Sequence, residues 1–232
     1  MIEDTHSLGG RISGYRLAVA AYRVALAVLV LVALGIQFNV ARHSAAFIPQ
    51  SFFSFFTNLS NLFGAGVFIY TAITGRRGLV VDLLRGAAVE YLAITGVVYA
   101  LLLSGTSESL GVLPWVNVVV HEIMPVAVIV DWVIVPPSHR IPLKRAMIWL
   151  VFPIAFMVYS LIRGAMIDWY PYPFLDPGKV GGYTGVAIYG VCIAIAFVLI
   201  ALAIAAAGNW LRGRRPVRMS VAGRPQLPPA RP

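Results

Sequence analysis

The sequence predicts an all-α, polytopic integral membrane protein with six transmembrane helices and both termini in the cytoplasm. Three observations predict it. Of 232 residues, 59% are hydrophobic and only 12% charged, whereas a soluble domain carries about 25% charged residues. Apolar stretches near the length of about 20 residues needed to span a bilayer recur along the chain, leaving only short loops and two tails. Lys and Arg collect in alternate connections between these stretches, as they do in cytoplasmic loops.

Span one covers roughly Arg16 to Phe38. Its apolar region is too long for the h-region of a cleavable signal peptide, about 7–15 residues. Span two runs from Phe52 to Thr74 and ends at Gly75-Arg76-Arg77-Gly78. Span three is about Ala87 to Ser104. Span four runs from Pro114 to Val135 and stops at Pro136-Pro137. Span five is about Ala146 to Gly164, and span six Tyr183 to Ala207. This divides the chain into a cytoplasmic tail over residues 1–15, a six-helix domain over 16–207, and a basic, Pro-rich cytoplasmic tail over 208–232 that is expected to be disordered.

Orientation follows from charge. Arg11 and Arg16 precede span one. Arg76, Arg77 and Arg85 follow span two, and Arg140, Lys144 and Arg145 follow span four. Arg212, Arg214, Arg215, Arg218, Arg224 and Arg231 follow span six. The other connections hold only Arg42 and Lys179. The net charge of +9 is therefore explained by lipid headgroups and topology, with no nucleic-acid partner required. The single cysteine, Cys192, excludes an internal disulfide and a cysteine-based metal cluster. No metal or cofactor is called for. His6 and His139 fall in a tail and a loop, and His43 in the first loop.

Span two opens with an aromatic run, Phe52-Phe53-Ser54-Phe55-Phe56, followed by Thr57-Asn58-Leu59-Ser60-Asn61. Ser54, Thr57, Asn58 and Asn61 are spaced to form one stripe on a helix. A polar stripe inside a membrane needs partners. Span two enters from outside, so Thr57 lies about five residues in, roughly 8 Å deep. Span four enters from the same side, and His121 lies about seven residues past Pro114, roughly 10 Å deep. Asn117 shares the His121 face, and Pro125 has no N–H to give the His121 carbonyl, so the helix is expected to bend there. A threonine hydroxyl beside neutral imidazole is a candidate nucleophile with its base. Asn58, Ser60, Asn61 and Asn117 are candidates to orient the pair or to donate to an oxyanion. The competing reading is structural: a histidine satisfied by a neighbouring hydroxyl, with the stripe holding helices together.

Other charges fall inside the spans. Arg163 is a candidate to hold a substrate carboxylate or to pair with Glu122. Arg23, Glu90 and Asp131 are expected to form an ionic cluster near the cytoplasmic side, structural by default.

The loop-five core Trp169-Tyr170-Pro171-Tyr172-Pro173-Phe174-Leu175 reads as a re-entrant or interfacial segment anchored by aromatics. Together with Phe56-Thr57 and His121-Glu122-Ile123-Met124-Pro125, it resembles the androgen-induced / androgen-dependent family of six-helix membrane proteins, and more closely the bacterial "Pr-six-Pr" membrane-protein family. The resemblance covers about Tyr15 to Ala207. It implies an intramembrane hydrolase with a threonine nucleophile and a histidine that cleaves fatty acyl esters, with the threonine at Thr57 and the histidine at His121. On this reading the partners are membrane lipids and a lipid-like ester substrate, and the location is the cell membrane. The alternative is a non-enzymatic membrane protein: a small transporter, or a lipid- or partner-binding module.

Overall fold

The computed structural model describes residues 3–44, 48–104 and 111–214, with side chains described from residue 14 onward. Every regular element among them is helical: α1 (Glu3–Ala41), α2 (Pro49–Phe52), α3 (Phe56–Thr74), α4 (Leu79–Val98), α5 (Pro114–Val118), α6 (Met124–Ile134), α7 (Leu143–Ala146), α8 (Val151–Ile167) and α9 (Tyr183–Gly213). A π-helical turn, Tyr99–Leu103, extends α4, and another, Val119–Ile123, joins α5 to α6. A 3-10 turn, Met147–Leu150, joins α7 to α8, and a second, Pro173–Leu175, lies between α8 and α9.

Five continuous helices are long and apolar enough to cross a membrane: Gly14–Ala41, Leu79–Leu103, Pro114–Ile134, Leu143–Ile167 and Tyr183–Gly213. The chain is an all-α protein of membrane-spanning character. Helix α3 is not among the five. It has 19 residues, and the polar Thr57, Asn58, Ser60 and Asn61 in its first turns dilute its hydropathy.

Several boundaries differ from expectation for local reasons. Helix α1 begins at Glu3, so residues 3–15 continue the first span as helix; no proline interrupts them. Helix α9 runs on to Gly213, and the expected tail lies outside the described residues from 215 onward. Span two does not begin as helix at Phe52. Helix α2 stops there, residues 53–55 turn, and α3 starts at Phe56 with Phe55 extended (φ −89°, ψ 127°). Ser54 therefore leaves the stripe. Its hydroxyl donates to the Gln50 carbonyl at 2.6 Å and lies 2.8 Å from the Tyr159 hydroxyl. Thr57 becomes the second residue of α3 and sits at its positive end.

Helix α4 is the centre of the bundle. Its spanning window is 56% buried, against 17% for α9, so α4 faces protein while α9 turns most of its surface outward. Helix α1 packs on α3, α3 on α4, and α4 on α6 and α9. Two glycines on α4 permit this. Gly86 lies under the Trp149 indole, whose N–H donates to the Leu83 carbonyl at 2.9 Å. At Gly96 a Cβ would come within 3.1 Å of the His121 carbonyl oxygen and 3.3 Å of the Pro125 Cβ. The carbonyl that Pro125 leaves without its usual donor thus packs on a bare backbone, and the expected bend takes the form of a π-helical turn.

The ionic cluster forms with a different membership. Arg23 Nε meets Asp131 Oδ1 at 2.7 Å, and Arg85 Nη2 meets Asp131 Oδ2 at 2.7 Å. Arg85 also donates to the Asp131 and Val135 carbonyls at 3.0 and 2.6 Å, and its guanidinium lies 5.3 Å from the Trp132 ring. Glu90 is fully buried but neither carboxylate oxygen has a hydrogen-bond partner. Arg85, expected in a loop, sits instead inside α4 at 4% exposure. It is one helical turn nearer the Asp131 level, whereas Glu90 points about 140° further round α4, away from that cluster. Nearby, buried Asp82 accepts from the Ser138 N–H, the Ser138 hydroxyl and the His139 N–H at 2.8, 2.7 and 2.9 Å, which ties the 136–141 segment to α4.

Candidate active site

The first turn of α3 and the π-helical turn after α5 face each other. Thr57 Oγ1 lies 3.3 Å from His121 Nε2, the long end of hydrogen-bond reach and usual for a site without substrate. His121 Nδ1 lies 3.2 Å from the Asn117 carbonyl oxygen. A carbonyl only accepts, so Nδ1 carries the proton and Nε2 presents its lone pair to the threonine hydroxyl. The group that orients the imidazole is thus a main-chain carbonyl.

Packing fixes the imidazole in this pose. The Tyr99 ring stacks on it, with centroids 4.2 Å apart and planes 20° apart. The Asn117 amide donates to the Tyr99 hydroxyl. The Asn61 amide donates to the Thr57 carbonyl at 2.9 Å and to the Val120 carbonyl at 3.1 Å, which pins α3 to the residue before His121. The Asn58 amide donates to the Phe52 carbonyl at 2.8 Å and closes the turn before α3. Ser60 is fully buried with no partner for its hydroxyl. Of the four residues expected to orient or stabilise, Asn61 and Asn117 hold the pair, Asn58 holds the turn, and Ser60 does not reach it.

Arg163 and Glu122 do not pair. Arg163 Nη2 donates to Ser51 Oγ at 3.0 Å, and the guanidinium lies 4.7 Å from the Trp169 ring. Glu122 is exposed on the far side of the π-helical turn, beside Gly96 and Pro125. Helical geometry separates it from His121 by about 100°.

Two cavities meet at Thr57. One, of about 610 Å³, is lined by Thr57, Asn58, Tyr99, His121, Tyr172 and residues of α1 such as Gln37. The other, of about 60 Å³, is apolar and runs from Thr57 and Tyr172 between Phe156, Phe174 and Phe197. No family model, curated protein or solved structure matches the chain. The site is therefore read from its own geometry. Among the described residues, no three of His, Cys, Asp and Glu converge as a metal site would require.

Two side chains that contact the Thr57–His121 pair were not foreseen. Tyr99 lies at the end of span three, where a tyrosine reads equally well as an interfacial anchor. Tyr172 belongs to the aromatic loop, which folds inward: Tyr172, Phe174 and Leu175 are buried. The Thr57 N–H donates to the Tyr172 hydroxyl oxygen at 3.3 Å, and that oxygen lies 3.4 Å from Thr57 Oγ1. The prolines at 171 and 173 were the available signal: they bracket Tyr172 and hold it extended rather than helical.

Proposed function

We propose that the protein is an intramembrane hydrolase of lipid esters, with Thr57 as nucleophile and His121 as base. The observation that carries this reading is the relay from the Thr57 hydroxyl to His121 Nε2, with His121 Nδ1 held on the Asn117 carbonyl. As Thr57 Oγ1 bonds to the acyl carbon, its proton passes to Nε2. The C–O bond to the alcohol then breaks and Nε2 returns the proton to the departing oxygen. Water attacks the acyl-threonine with His121 as base again, releasing the fatty acid and restoring Thr57. The 610 Å³ chamber is of a size that buries much of a lipid-like ligand. The resemblance of the Thr57, His121 and Tyr172 segments to the androgen-induced / androgen-dependent and Pr-six-Pr families supports the same chemistry.

In this reading α3 is the sixth span. Its 19 residues reach about 28 Å at 1.5 Å each, close to a hydrocarbon core of about 30 Å. Thr57 and Asn58 face the chamber and Ser60 and Asn61 are fully buried, so its polar turns are kept from lipid. Both termini are cytoplasmic, because Arg76, Arg77, Arg140, Lys144, Arg145 and Arg212 gather on one side. The site then opens toward the outer face of the cell membrane.

The test is labelling of purified protein by a long-chain fluorophosphonate, compared across wild type, Thr57→Ala and His121→Ala. Thr57→Ala abolishes labelling, and His121→Ala slows it by about 10²–10⁴-fold, the usual worth of a general base. Labelling that survives Thr57→Ala removes Thr57 as nucleophile. Folded wild type that neither labels nor cleaves long-chain esters leaves the chamber as a lipid-binding site without chemistry.

A further inference from the structure

An ester hydrolase must stabilise the oxyanion of its tetrahedral intermediate with a donor close to the nucleophile. The Asn61 amide spends both hydrogens on the Thr57 and Val120 carbonyls, while the Asn58 and Asn117 amides are turned to the Phe52 carbonyl and the Tyr99 hydroxyl, and neither is bonded to Thr57 Oγ1. Ser60 does not line the chamber. Among side chains beside Thr57, the Tyr172 hydroxyl stands apart. It lies within reach of the nucleophilic oxygen and of the nucleophile's own N–H, and it borders both cavities where they meet.

We propose that Tyr172 is the oxyanion donor of this site, its hydroxyl oxygen held by the Thr57 N–H at the start of α3; the proposal rests on the hydrolase reading. Hydrogen-bond roles support it. Nε2 of His121 accepts, so the Thr57 hydroxyl donates to it. The Thr57 N–H donates to Tyr172. The Tyr172 proton is then directed at Thr57 Oγ1. When Oγ1 bonds to an acyl carbon, the carbonyl oxygen develops its charge one bond from that atom. The Tyr172 O–H reaches it by rotation about the tyrosine C–O bond, while the Thr57 N–H holds the Tyr172 oxygen in place. The tyrosine keeps its proton throughout and donates only.

The surroundings suit a fixed donor. The ring stacks on Phe174 with centroids 5.1 Å apart and planes 8° apart, and meets Phe55 edge-on at 5.8 Å. Burial raises the Tyr172 hydroxyl above its ordinary range, so it remains a donor through neutral and mildly alkaline pH. The start of α3 adds the positive end of a 19-residue helix.

The experiment compares wild type, Tyr172→Phe and a variant carrying 3-fluorotyrosine at position 172, in hydrolysis of a long-chain ester by detergent-purified protein. Phe keeps the stacking and removes one oxygen. Tyr172→Phe lowers kcat by about 10²–10³-fold with KM nearly unchanged. It also weakens binding of a trifluoromethyl ketone analogue of the intermediate far more than binding of the ester. Fluorination strengthens the hydroxyl as a donor and weakens it as an acceptor, so the fluorinated protein raises kcat. If Tyr172 merely caps α3, fluorination lowers thermal stability and leaves kcat alone, which overturns the proposal. Tyr172→Phe with kcat within about threefold of wild type also overturns it, while the hydrolase reading stands. A wild type without labelling or turnover overturns both.

Discussion

Thr57 differs from serine by one methyl, and the site gives that methyl a purpose. A β-branched side chain at the second position of a helix has few χ1 rotamers, so the methyl helps hold Oγ1 between His121 Nε2 at 3.3 Å and the Tyr172 hydroxyl at 3.4 Å. Under the proposed function, Thr57→Ser keeps the nucleophile and frees its rotamer. It is expected to label with fluorophosphonate at a rate reduced by about 3–10-fold, since the rate depends on the fraction of time in attack geometry. Thr57→Ala, of nearly the same size, does not label at all. A serine variant as inert as the alanine variant contradicts this account of Oγ1. Thr57 and His121 were legible as polar residues near the same ends of two spans, although the count from Phe52 set Thr57 too far into its helix, because α3 starts only at Phe56. Tyr172 was not legible, because an aromatic loop beside prolines has the same composition whether it lies on headgroups or folds into a site. The backbone partner of His121 was hidden for another reason: every residue has a carbonyl, so no residue type marks it.

At the scale of the element, the π-helical turn Val119–Ile123 sets the direction of His121. Its cause was legible in Pro125, which has no N–H for the His121 carbonyl. Its form was not, since a proline can bend a helix or widen one turn, and the close approach of Gly96 to that carbonyl decides which. Pro125→Ala restores the missing donor and draws the turn toward α-helical geometry, with His121 rotating away from Thr57. Labelling by fluorophosphonate is expected to fall by about 10–100-fold, the cost of a displacement near 1 Å at a reacting group. Thermal stability in detergent is expected to hold or rise, because the helix gains a hydrogen bond. Equal labelling by Pro125→Ala and wild type shows that the turn does not aim the histidine. The break at residues 53–55 was hidden in the same way. Phe52 to Phe63 is uniformly apolar between its polar residues, and only the turn that Asn58 closes onto Phe52 separates α2 from α3.

Across the whole molecule, polarity is divided between two ends of the bundle. The Thr57–His121 site lies at one, and the Arg23–Asp131–Arg85 cluster lies toward the other. Asp131 meets two buried arginines, so Asp131→Asn leaves both underneutralised. Removing one partner of a buried ion pair costs about 3–5 kcal/mol, and the expected result is a large drop in thermal stability and yield. Labelling per folded molecule is expected to remain at the wild-type level, which separates this cluster from the chemistry. That the chain is apolar enough to span a membrane was legible from composition, but the number of spans was not: five helices have the length and hydropathy to cross, and α3, the expected second span, falls outside them because of its polar first turns. Membership of the cluster was not, because Arg85 reads as a loop charge until the helix is seen to start at Leu79. Moving Arg85 into the bundle leaves Arg76 and Arg77 to mark that loop, and the alternation of charge survives. Orientation can therefore be tested without touching any of the arginines that set it. In a Cys192→Ser background, Ser44→Cys and Lys179→Cys lie on the connections near the site, and His139→Cys lies on the connection beside the ionic cluster. A membrane-impermeant maleimide applied to intact cells is expected to label the first two and to reach His139→Cys only after lysis. The reverse pattern turns the bundle over and places the Thr57–His121 chamber at the cytoplasmic face, where a lipid-ester substrate would have to come from the inner leaflet.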